Sequence, residues 1–98
     1  MTYTVWKTEL KLRDVQDIDV PEGAELLTAR EQHEQVCVWF KCDPLNLKIK
    51  RRIALVGTGH PAPDGARYVG SAHLQGGSLI LHVFERVSQP LLDEGRND

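Results

Sequence analysis

The side chains of this sequence best suited to chemistry lie in one loop, in a pair of histidines and in two cysteines. The loop is VGTGHPAPDGARYVG, Val56 to Gly70, with four glycines and two prolines. His60 sits in it beside Pro61, and an imidazole can act as acid or base near neutrality. Gly57 and Gly59 expose backbone N–H groups that suit an anion nest, with Arg67 as a supporting cation. A third reading is purely conformational. Glycines permit positive φ, Pro61 and Pro63 stiffen the crossing, and Asp64-Gly65 makes a turn. Thr58 is close to His60, but no local motif links it to a base. The GxG pattern is not followed by a helix, so it does not complete a dinucleotide fingerprint.

His73 and His82 flank Gly76-Gly77, a two-residue hairpin signal. That turn places Gln75 opposite Ser78, His73 opposite Ile80 and Ser71 opposite His82. The two histidines then become diagonal neighbours on one face. A change of one residue in loop length sends them to opposite faces. Zinc requires three or four ligands, and Asp64 or His60 supplies a third only if the long loop folds over. Ordinary half-buried histidines are the simpler reading, and no metal or other cofactor is assigned.

Cys37 and Cys42 lie five residues apart in VCVWFKC. On a strand that odd separation points the thiols to opposite faces, roughly 17 Å apart. A disulfide needs Cα atoms within about 7 Å, so the two do not pair. They read as buried free thiols of a reducing compartment.

The elements that must hold these groups are strands. Alternation and β-branched or aromatic clusters recur along the chain, and helical periodicity is scarce. TYTVWKTELKL sets Trp6, Leu10 and Leu12 on one face and Lys7, Glu9 and Lys11 on the other. VQDIDV turns Ile18 and Val20 inward. AELLTAREQ allows a helix by composition, but its position between strand signals predicts a strand. HEQ, His33 to Gln35, marks a hairpin tip. Strand signals return in IKRRIALVG, ARYVGSAHL and SLILHVF. Seven strands with frequent turns predict an all-β fold, a small antiparallel sandwich or partly open barrel. Residues 1–87 form that single domain. Residues 88–98 form a tail in which Ser88 and Pro90 suit the first turn of a short helix.

The totals narrow the function classes. Ninety-eight residues at 41% apolar content fit one domain able to bury its own core. A net charge of −2 argues against a nucleic-acid coat. The cluster Lys48, Lys50, Arg51 and Arg52 reads as a solvated strand edge. No apolar run reaches the roughly 20 residues that span a bilayer, and the start lacks a signal-peptide core. A cytoplasmic protein with no membrane partner is expected.

Two strands are apolar on both faces. Cys37 and Trp39 oppose Val36, Val38 and Phe40; Ile80, His82 and Phe84 oppose Leu79, Leu81 and Val83. One face fills the core and the other needs cover, from Leu91 and Leu92 of the tail or from another protein surface. Cys37, Trp39, Ile80 and Phe84 are therefore expected at an interface, most simply between copies of a homo-oligomer.

The pieces VWKTEL, DVPEGAELL, VCVWFKCDP, GTGHPAPDGARYVG and GGSLILHVFE resemble a family of small, largely uncharacterised proteins of phages, prophages and bacterial genomes. The resemblance runs from about Val5 to Glu85 and includes Trp6, Pro21, Gly23, Trp39, Gly57, Gly59, His60, Pro61, Gly70, His82, Phe84 and Glu85. LNLKIKRR and the tail lie outside it. It implies no catalytic residue and a phage-like context, in which small accessory proteins bind a host factor or sequester a signalling molecule. The expected function is a non-enzymatic accessory protein that binds a host protein complex, such as a defence system. Its contact residues are Gly57, Thr58, Gly59, His60, Pro61, Asp64, Arg67 and His82. The alternative is a small-ligand binder that holds a nucleotide or other anion in the same loop. An enzyme using His60, or His73 and His82 on a metal, is the third reading.

Overall fold

Alternating sequence becomes alternating burial. The computed structural model describes residues 2–86. In it, β1 (Thr4–Leu10), β2 (Val15–Pro21), β3 (Glu25–Gln32), β4 (Gln35–Cys42), β5 (Lys48–Gly57), β6 (Ala66–Leu74) and β7 (Leu79–Arg86) form one sheet, in the order β1-β4-β3-β6-β7-β5-β2. The sheet curls until its inner face closes on itself, leaving β1 and β2 as the two edges of a nearly closed barrel. In the β1–β2 connection the Gln16 amide bonds both the N–H and the C=O of Lys11, fixing the turn between the two strands.

The expected seven-strand, all-β, barrel-like architecture is present, and Ala24–Gln32 is extended rather than helical. One departure is the neighbour pair β3–β6, which runs parallel through Ala29 and Gly70, so the sheet is mixed rather than wholly antiparallel. The expected tail helix lies outside the described residues, as do Leu91 and Leu92.

The core is the inward half of each strand. Val20, Val36, Val38, Ile53, Ala72 and Val83 are fully buried, with Leu26, Phe40 and Leu74 packed around them. Burying side chains of this size contributes about 1.5–3 kcal/mol each, the dominant favourable term of the fold. Two bulges interrupt the period of two. One falls between Leu26 and Thr28, the other between Tyr68 and Gly70. After the first, Ala29 is buried three residues beyond Leu26 instead of two or four. A bulge inserts one residue and reverses every later face, so alternation cannot be carried across it.

β1 also ends earlier than its pattern suggests. Leu12 falls in the β1–β2 connection and is 68% exposed, not in the core with Leu10. The β6–β7 hairpin has the expected register, with His73 opposite Ile80 and Ser71 opposite His82. Its turn is a short 3-10 segment, Gln75–Gly77, closed by the Ser78 N–H on the Gln75 carbonyl.

Cys37 and Cys42 are both free and buried, on opposite faces of β4. Burial pushes both thiols above their ordinary range. The native protein is therefore expected to resist alkylation, both thiols reacting only after denaturation. The neutral thiols are favoured only in the folded chain. Stability should be unchanged below the ordinary thiol range and fall as the pH rises through it, because the unfolded chain loses its thiol protons first. Thiol titration with and without urea checks the first expectation, and urea midpoints between pH 7 and roughly 10 check the second.

Candidate functional site: a groove at one end of the barrel

Alternation also divides the basic run. On β5 the outward Lys50 and Arg52 pair across the strand with Asp19 and Asp17 of β2. Arg52 bonds Asp17 and holds its carboxyl below the usual range. Arg51 points inward and binds Glu85 of β7. Of the four cations in that run only Lys48 is left outside these pairs.

Glu85 is buried in phase with Val83 and takes charge from two strands. Arg51 donates to it, and Arg67 Nη2 does so at 3.2 Å. Both arginines also reach across to β3, Arg51 to the Ala24 carbonyl at 2.9 Å and Arg67 to that of Leu26 at 3.0 Å. This network ties β5, β6 and β7 to the β3 side of the barrel. Arg67, expected beside the glycine loop, is held here instead, at the level of Ile53 rather than Gly57.

The loop residues themselves part company. Thr58 turns to the outer face, where its hydroxyl lies 2.8 Å from His82 Nε2. Tyr68 Oη lies 2.9 Å from His82 Nδ1, and its ring packs edge-on against Phe84. A neutral imidazole has one donor and one acceptor, so the two hydroxyls satisfy both nitrogens. This hydroxyl–imidazole–hydroxyl chain pins the loop to β6 and β7. His82 is thus the partner of Thr58 that sequence spacing did not reveal, because the two meet through strand register and not through a local motif. Thr58 and Tyr68 are exposed. His73 shares this face and lies 3.4 Å from the Ser71 hydroxyl. Among the described residues no three histidine, cysteine or acidic side chains converge as a metal-binding group.

His60 goes the other way. Its N–H bonds the Gly57 carbonyl, and its ring lies against Gly57, where an added Cβ would stand 3.2 Å from it. With Pro61 it walls a groove of about 810 Å³ between the β1–β2 connection, the end of β5 and β7, from Leu79 to Arg86. Leu12, Val15, Leu55 and Leu81 make its apolar surface, and Arg13, Asp14 and Arg86 its charged rim. Among the expected loop contacts, Gly57, His60 and Pro61 line this groove; Gly59, Asp64 and Arg67 do not. Leu12 and Val15 were not anticipated as site residues. Alternation places Leu12 in phase with Leu10, so nothing in the sequence marks it as a surface residue.

The outer apolar faces differ from the expectation as well. Cys37 is fully buried within the single chain, with Glu9 and Arg30 as its cross-strand neighbours, and it offers a partner no surface. Trp39, Ile80 and Phe84 are half-buried, and β3 and β6 separate the first from the other two. They form no continuous patch.

Fold and site together define a small all-β domain, a single curled sheet with an apolar groove at one end. Residues 1–92 match the family described as a domain of unknown function, DUF7352, and the chain belongs to that family. No curated protein and no solved structure matches the chain.

Proposed function

We propose that this protein is a non-enzymatic, phage-like accessory module that binds a host protein complex, and that its contact surface is the end groove. The observation that supports this reading most is the groove itself. Its volume falls within the range of binding pockets, roughly 300–1,000 Å³, and its lining is apolar with a few charged groups at the rim. A rigid apolar cleft of that kind takes an apolar side-chain cluster from an ordered partner with little loss of its own freedom. The anion reading keeps the loop but loses its arginine, because Arg67 is bound to Glu85 and the Leu26 carbonyl.

A photo-crosslinking amino acid at Leu12 tests the surface, with the same group at Thr28 on the far side as control. In a lysate of a bacterial host, crosslinks to one discrete protein are expected from position 12 only. The purified pair should then bind at least tenfold more weakly when Pro61→Glu is introduced. Equal capture from both positions, or no effect of the substitution, removes the reading.

A further inference from the structure

The end of the barrel opposite the groove carries an apolar projection. The β4–β5 connection presents Leu45 and Leu47, 93% and 81% exposed. Two leucines so bare need a reason when the loop that carries them is ordered. The Leu45 N–H bonds Asp43 Oδ1 at 3.0 Å, and the Asn46 N–H bonds the Asp43 carbonyl at 3.1 Å. The Asn46 amide reaches the Glu22 carbonyl at 2.9 Å, while the Glu22 N–H bonds the Leu47 carbonyl at 2.7 Å. An Asx turn and two clamps to the β2–β3 connection therefore fix the loop and hold its leucines out. Apolar side chains displayed on a fixed backbone are the form of an interaction knob, because little conformational freedom is lost when they dock.

Knob and groove sit at the two ends of one strand. β5 begins at Lys48, directly after the knob, and ends at Gly57, in the groove wall. The wall residues Ala54 to Gly57 lie roughly 20–30 Å along the strand from Lys48, so one molecule cannot fill its own groove with its own knob. Their charges are complementary. The groove rim has Arg13 and Arg86 against Asp14, and the knob has Glu22 and Asp43 against Lys48.

We infer that a second copy of this chain occupies the groove until a host protein displaces it, with Leu45 and Leu47 of one molecule seated in the groove of the next. This rests on the groove being a protein-binding surface, and names an occupant for it. The contact is heterologous, knob to groove. Each added molecule leaves a free knob at one end and a free groove at the other, so assembly proceeds head to tail unless the rotation closes a ring. The rim charges make it weaken with salt.

The test uses the full chain and two variants altered only at exposed positions. Leu45→Asp/Leu47→Asp removes the knob and keeps the groove. Leu12→Glu/Pro61→Glu blocks the groove and keeps the knob. Circular dichroism establishes that both remain folded. In sedimentation velocity the wild type is expected to grow in mass with concentration, while each variant alone stays monomeric. An equimolar mixture of the two should form dimers and nothing larger, because only one competent knob–groove pair exists between them. A wild type monomeric at every concentration overturns the inference, as does a mixture that stays monomeric or a variant that assembles alone. The crosslink from position 12 separates this failure from that of the broader reading. Groove-dependent capture of a host protein by a strictly monomeric chain would sink self-assembly alone.

Discussion

Gly70→Ala is expected to be the most damaging single-methyl change in the protein, lowering stability on the order of 3 kcal/mol or more. Gly70 is the β6 residue paired with Ala29 of β3 at the parallel contact of the sheet. An added Cβ would stand 2.5 Å from the Ala29 carbonyl oxygen, 2.7 Å from its nitrogen and 3.3 Å from its carbonyl carbon. All three are backbone atoms, so no rotamer change relieves the overlap. β3 and β6 must separate, and that contact joins the β1-β4-β3 half of the sheet to the β6-β7-β5-β2 half. The melting temperature should fall by about 12 °C or more, at roughly 4–8 °C per kcal/mol for a domain of this size. Gly65→Ala is the control. Gly65 has φ +68° but open space around its Cβ, so its cost is conformational only, about 1 kcal/mol. If the two variants melt together, close packing of β3 on β6 is not what requires glycine at position 70.

The second large effect is at Glu85. Glu85→Gln keeps the shape and removes the charge, leaving the Arg51 guanidinium inside the barrel without its counter-ion. Removing one partner of a buried pair costs about 3–5 kcal/mol, far more than the pair itself contributes. The two arginines are not equivalent. The Arg51 side chain is 19% exposed and Arg67 51%, so the Arg67 arm is screened by solvent. Arg67→Ala should cost under about 1 kcal/mol. Arg51→Met combined with Glu85→Leu should recover most of the loss, because an apolar pair replaces a buried ion pair at little or no cost. Urea midpoints of the four proteins at constant m-value decide this. A Glu85→Gln variant as stable as wild type would show that the network contributes nothing to the fold.

Glu85 also shows how far the chain can be read without its structure. In LILHVFER it keeps step with Leu79, Leu81 and Val83, so alternation alone points it inward. Arg51 likewise keeps step with Ile53 and Leu55. Within its basic run, however, Arg51 reads as part of a solvated strand edge, and that β5 lies beside β7 is a matter of sheet order, so the ion pair itself was not legible. Arg67 was not legible, because the bulge at Val69 lies between it and the buried positions of β6 and breaks their phase. The same holds for Ala29. Its burial three residues after Leu26 depends on a bulge that no residue type in ELLTAREQ announces.

The site was half legible for a related reason. The groove wall at Gly57, His60 and Pro61 was visible as glycine, proline and histidine punctuation. The other wall, Leu12 and Val15, comes from residues more than 40 positions away, brought there by the pairing of β2 with β5. The leucines of the knob were set aside with LNLKIKRR as outside the family resemblance, whereas the family match over residues 1–92 includes them, and they are the barest large apolar side chains among the described residues.

The amino-acid order by itself determined the strands, the hairpin register at Gly76-Gly77 and the unpaired thiols. Each depends on local conformational preference or on the two-residue side-chain period, which neighbours in the chain establish among themselves. Only the tertiary structure decided the sheet order, the parallel contact at Gly70, the split of Thr58 and His60 to different surfaces, and the placing of knob and groove at opposite ends. Those depend on which strands lie side by side and on where a bulge reverses the faces. They are settled by closing one shared core, a condition on the whole chain that no short stretch of it carries.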